Sequence, residues 1–113
     1  MSDIKEFPDF IRNLPEIELP VPNARGLLIQ GSHQQVVFVE FDKTIEFPEH
    51  THDEQWEFPL AGRAILHIKG NSKEYHSGDN FYIPANLPHG ATVYVGYKAI
   101  IIFNSPDRYR TKG

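Results

Sequence analysis

From residue 26 onward, short apolar runs alternate with turn residues at close intervals. Gly26–Gln30 is a brief apolar run, and Gln34–Phe41 is a longer one, rich in β-branched and aromatic side chains. A turn at Asp42-Lys43 and a proline at 48 follow. Gln55–Leu60 and Arg63–Lys69 flank Ala61-Gly62, the pattern of a hairpin. Gly70-Asn71 leads into Lys73–His76, and Ser77-Gly78-Asp79 into Phe81–Ile83; Ala91–Val95 and Tyr97–Phe103 flank Gly96. About eight strands, with turns at roughly 8–12-residue intervals, predict an all-β sandwich or barrel. No internal repeat or low-complexity stretch interrupts them.

The first 25 residues read differently. Phe7-Pro8-Asp9-Phe10-Ile11 suits one helical turn, with Pro8 early in it, where its missing N–H costs least. Pro15, Pro20 and Pro22 then forbid a long helix or a central strand. Ile17-Glu18-Leu19 is left to pair at a sheet edge or to lie on a neighbour. The chain therefore divides into an N-terminal arm, residues 1–25, and a barrel, residues 26–113.

Composition narrows the function more than the fold. A chain of 113 residues suits one domain with one core. The net charge is −4, and no basic cluster appears before the last few residues, so nucleic acid is not an expected partner. No apolar run approaches the roughly 18–20 residues that span a bilayer, so no membrane contact is expected. The opening MSDIKEFPDF has neither the basic stretch nor the apolar core of a signal peptide. The absence of cysteine removes disulfides as a sign of secretion, and a cytoplasmic location is the expectation. It also removes thiolates as ligands: a bound metal must be held by nitrogen and oxygen.

Two segments carry such ligands, PEHTHDEQWE and GDNFYIPANLPHG. His50 and His52 stand one residue apart, and a strand places positions i and i+2 on one face, so both imidazoles can enter one cavity. Gln55 offers an amide oxygen and Glu57 a carboxylate, at the same parity on the next strand. His89 follows a turn shaped by Pro84, Asn86 and Pro88. Three neutral imidazoles and one oxygen suit zinc, iron, nickel, manganese or copper, with coordination positions left open. Against this stands the plainer reading. Lone histidines usually sit at the surface or in hydrogen bonds, and His33, His67 and His76 are expected there. Gln55 would then be only a hydrogen-bond partner, and Glu57 half of an ion pair.

At these residues the sequence resembles the cupin family of small double-stranded β-helix, or jelly-roll, barrels. The family's second motif is G-x5-P-x-G-x2-H-x3-N, and Gly78, Pro84 and His89 match it at full spacing. Asn86 replaces the middle glycine, and asparagine tolerates a left-handed backbone better than most residues. Val93 replaces the final asparagine. In the first motif, G-x5-H-x-H-x3-4-E-x6-G, His50 and His52 fit directly, and Gly62 fits if Gln55 takes the acidic position. Two residues rather than three or four separate His52 from Gln55, and Thr44 stands where the leading glycine would be. Only 15 residues lie between Gly62 and Gly78, as in compact single-domain members. The resemblance covers roughly residues 34–103.

The resemblance implies a barrel closed at one end, with a divalent metal in the mouth of the other, held by His50, His52, His89 and Gln55. Glu57 is the alternative ligand, or a neighbour of the ligands. Trp56 or Glu57, Phe81, Tyr82, Tyr94 and Phe103 are candidate pocket residues, with a parity that a one-residue slip would reverse. Shared fold does not select a reaction. The leading expectation is a metal-dependent, dioxygenase-like enzyme acting on a small-molecule ligand. A non-catalytic cupin with a sensing or storage role is the alternative, and a barrel that lost its chemistry but kept its ligands is a third. Small cupins are often dimers, so a homodimer is expected.

Overall fold

Apolar side chains at every second position sort the strands into two facing antiparallel sheets. The computed structural model describes residues 5–112. Its strands are β1 (Ala24–Gln30), β2 (Gln35–Phe41), β3 (Ile45–His50), β4 (Gln55–Ala61), β5 (Arg63–Ile68), β6 (Asn71–His76), β7 (Phe81–Ile83), β8 (His89–Val93) and β9 (Lys98–Phe103). One sheet has the order β1-β2-β9-β4-β7 and the other β3-β8-β5-β6. This is the all-β architecture that the turn spacing predicts, in the jelly-roll form that the family resemblance implies.

On β2, Val37, Val39 and Phe41 point between the sheets and join Leu28, Ala99 and Phe103, with Ala64 and Val93 opposite. The alternate residue Phe38 points outward and packs with Leu27, under Phe7 and Ile11. Helix α1 (Asp9–Arg12) carries Ile11 onto this outer face, and Phe7 meets Phe38 edge-on at 5.8 Å. The helical turn stands where the sequence predicts it, with Pro8 immediately before it.

Among the described residues nine strands form where about eight are predicted. The additional one is β3, disguised in the sequence by Pro48. It pairs only with β8, at the sheet's edge, and its register shifts between Phe47 and His50. A proline without an N–H is tolerated at such an irregular edge. The hairpin between β4 and β5 turns at Gly62, whose φ is +70° and whose Cβ, if present, would lie 2.9 Å from the backbone of Tyr97. Asn86 has φ of 64°, the left-handed backbone that its place in the motif requires.

The arm lies on its own barrel. Ile17 donates its N–H to the Gly26 carbonyl, and its side chain, 1% exposed, enters the main core. The C-terminal tail runs beside it: Glu18 N–H donates to Arg110 and Lys112 N–H to Glu16, both at 2.8 Å. The buried amide of Gln35 holds the same tail from below. It donates to the Tyr109 carbonyl and accepts from the Tyr109 N–H, each at 2.9 Å. Among the described residues, no helix is long and apolar enough to cross a membrane.

Candidate metal centre

The register of β3 on β8 sets His50 directly opposite His89. The strands come this close because Gly90 has no side chain: a Cβ there would lie 2.9 Å from the Phe47 carbonyl oxygen. His52 lies just beyond β3, so the strand parity that sequence reasoning relied on does not place it. A turn does so instead, since Asn86 N–H donates to the His52 carbonyl at 3.0 Å and ties the two histidine-bearing segments together. The rings stand 5.2 Å (His50–His52), 4.5 Å (His50–His89) and 4.7 Å (His52–His89) apart. One ring nitrogen from each lies within 4.8 Å of those of the other two, close enough for the three to hold one ion.

The outward nitrogens explain how the rings are aimed. Nδ1 of His50 faces the Pro48 carbonyl at 2.8 Å, Nδ1 of His52 the Asp53 carbonyl at 2.6 Å, and Nδ1 of His89 the Leu87 carbonyl at 2.8 Å. A carbonyl only accepts, so each Nδ1 carries the proton and each Nε2 keeps its lone pair. Metal-binding histidines are typically oriented in this way. Burial pushes the His52 imidazole down to about 4, a shift to which the nearby charge of Arg108 adds. His89 is lowered for the same first reason, burial. Both rings are therefore neutral at physiological pH, the form that binds metal. The donor set fits a divalent transition ion.

Gln55 and Glu57 both point inward from β4 and are buried. Gln55 Nε2 donates to Glu57 Oε1 at 2.8 Å, which directs its own Oε1 away from that carboxylate. Glu57 has no cationic partner among the described residues: its other oxygen accepts from the Tyr97 hydroxyl at 2.5 Å. Burial raises Glu57 to about 7 against these two hydrogen bonds, which lower it. Tyr97 is pushed above its ordinary value, by burial first and then by the Glu57 charge.

A cavity of about 350 Å³ opens above these groups. Glu57, Phe81 and Phe103 line it as expected, whereas Trp56, Tyr82 and Tyr94 do not. Trp56 and Tyr82 face each other across β4 and β7 on the outer side of the sheet, and Tyr94 lies under the Arg63 guanidinium at 3.7 Å. Alternation on β4 admits one of Trp56 and Glu57, and it is Glu57 that enters. The lining also includes Leu19, Pro20 and Val21 from the arm and Arg108 and Tyr109 from the tail, which no local pattern in the sequence marks. His67 bonds Ser72 and Thr92, His76 lies 3.7 Å from Asp79, and His33 is exposed, as expected for histidines outside the centre.

A search of curated protein sequences returns no match. Among solved structures, an RmlC-like cupin from Shewanella frigidimarina is similar over 95% of this chain and 94% of its own, at 28% identity and a TM-score of 0.71. KdgF from a Halomonas species is similar over 80% of this chain and 87% of its own, at 19% identity and a TM-score of 0.68. Oxalate decarboxylase from Bacillus subtilis matches 95% of this chain with 31% of its own length, at 18% identity and a TM-score of 0.70. The last two likenesses concern the fold alone. The family model for the cupin domain matches residues 37–96, more than half of the chain and the stretch that carries all three histidines. With two facing sheets and the histidines of both motifs meeting in one mouth, the chain belongs to the cupin family.

Proposed function

We propose that this cupin binds one divalent transition metal (zinc, iron, nickel, manganese or copper) through His50, His52 and His89, with Gln55 as fourth ligand, and acts as a metal-dependent enzyme on a small molecule. The observation that carries the metal is the geometry of the centre: three converging imidazoles, each with its Nδ1 on a backbone carbonyl, an arrangement that leaves each Nε2 for an ion. Four neutral ligands would leave the ion's full positive charge to polarise a bound oxygen. Oxygen insertion, as in a dioxygenase, is the reaction class we place first.

Within the chain itself, the Gln55–Glu57–Tyr97 hydrogen bonds favour catalysis over storage. They fix Glu57 beside the ligand set, where a storage site has no use for a buried ionisable group. Glu57 would hold or release a proton, Tyr97 would orient it, and the apolar walls would exclude water. The expected setting is a cytoplasmic homodimer. The test is plasma emission analysis of protein purified without chelator, beside the double variant His50→Ala/His52→Ala. The parent should hold one equivalent of metal per chain. The variant should stay folded and hold none, and full metal content in it would refute the proposal.

A further inference from the structure

Arg108 is an unusual wall residue for this cavity. Histidines aside, it is the only cationic side chain among the described lining residues. Its Nε is buried and has no hydrogen-bond partner. The guanidinium packs against the ring of Tyr109 at 4.7 Å and that of Phe103 at 5.7 Å, faces that position it without accepting its N–H groups. No carboxylate among the described residues pairs with it. It stands close to the histidines, because the Phe103 ring it packs against meets the His52 ring edge-on at 5.7 Å. Its backbone is also held, because the Gln35 amide clamps the next residue, Tyr109, through both its N–H and its carbonyl.

Arg108 is partly buried, with only its Nε fully enclosed, and its charge meets the cavity with no counter-charge among the described residues. An unpaired donor or cation in such a setting costs free energy. Structures retain such groups where a ligand completes them. We infer that the natural ligand carries a carboxylate, received by Arg108, on an otherwise apolar body. The two Nη groups, which unlike Nε are not enclosed, present a planar fork of N–H donors that matches the two oxygens of a carboxylate. A single guanidinium balances a single negative charge. The remaining walls, including Phe41, Phe47, Leu66, Phe81 and Ile83, offer hydrocarbon and ring surface to the rest of the molecule. This inference rests on the reading of the cavity as a ligand site beside a metal.

The test is calorimetric titration of metal-loaded and chelator-treated protein with benzoate, hexanoate, benzamide and inorganic phosphate. Benzoate or hexanoate should bind at least about tenfold more tightly than benzamide, the uncharged counterpart, and than phosphate. Arg108→Gln should abolish that preference while leaving benzamide binding unchanged. Arg108→Lys, which keeps the charge without the fork, should fall between and covers the case in which the glutamine variant fails to fold. The preference should persist, reduced, in metal-free protein. Equal binding of acid and amide would mean that Arg108 holds only a water, and would overturn the inference. So would an acid preference that survives in both variants, or a failure of both acids to bind. Full metal content without acid selection would sink this inference alone. Acid selection through Arg108 without metal uptake would sink the proposed metal function and leave the carboxylate site standing.

Discussion

The hydroxyl of Tyr97 donates to Glu57 at 2.5 Å, inside a barrel where Tyr97 is 1% exposed and Glu57 7%. A carboxyl group in that setting ties the stability of the empty protein to pH. Its folded value is raised from 4.5 to about 7 by burial, so the folded state keeps a proton that the unfolded chain releases. The stability gained is complete below pH 4.5 and is lost as pH rises through 7. Denaturant unfolding of chelator-treated protein should show the difference between the parent and Glu57→Gln falling across this window. The fall should be on the order of 3 kcal/mol. His52, with its lowered value, acts in the opposite direction at lower pH in both proteins and cancels from the difference. A difference that does not change with pH would mean that Glu57 does not titrate there.

Gln55 is expected to contribute more to the metal than Glu57. Gln55→Ala should weaken binding by about 10–100-fold, whereas Glu57→Gln should weaken it less. Gln55→Glu, which adds a negative ligand, should tighten it. Competition with a chromophoric chelator measures all three. A larger loss at Glu57 would exchange the two roles.

Gly90 controls the approach of β3 to β8. In Gly90→Ala the new methyl would meet the Phe47 carbonyl oxygen at 2.9 Å, and that oxygen belongs to the backbone. The strands must separate, drawing His50 away from His89. We expect a stability loss of about 1–3 kcal/mol in thermal melts, with metal affinity lowered as well. Unchanged affinity in the folded variant would show that the strand spacing does not set the centre.

Ile17 joins the arm to the core, and its backbone bridges Thr111 of the tail. Ile17→Ala should cost about 2–4 kcal/mol through the cavity it leaves. Hydrogen exchange should also quicken at the amides of Glu18 and Lys112, which bond across to the tail and back. Normal protection at both amides would mean that the tail is held independently of this side chain.

Trp56 and Tyr82 lie paired and about half exposed on the outer face of the five-stranded sheet. If the expected homodimer uses this face, Trp56→Asp should convert it to a monomer by light scattering, with the fold intact. A variant that remained a dimer would place the contact elsewhere.

Much of the fold was legible because strands and turns are local. Gly62 and Asn86 adopt the left-handed backbone that their positions in hairpin and motif demand. The three histidines were legible because two short motifs hold them at set spacings. Strand parity does not account for His52, which lies past the end of β3 and is brought in by a hydrogen bond from Asn86. β3 was obscured because Pro48 reads as a breaker, while the bulge that accommodates it depends on the partner strand. Arg108 and Tyr109 were illegible for a different reason. Their placement depends on Gln35, more than seventy positions away in the chain, and no periodicity or spacing encodes such a clamp.

That clamp separates two tasks along the chain. The three histidines, Gln55 and Glu57 fall within residues 37–96, the part that the family model matches. The cation over the cavity and the apolar rim formed by Leu19, Pro20 and Val21 come from stretches outside it, held down by Gln35 and by each other. Substitutions in those outer stretches can alter which molecule enters without disturbing the three histidines proposed to hold the metal. Descendants of one such barrel can therefore diverge in the molecule they admit while keeping the same three histidines, with their differences confined to the two ends of the chain.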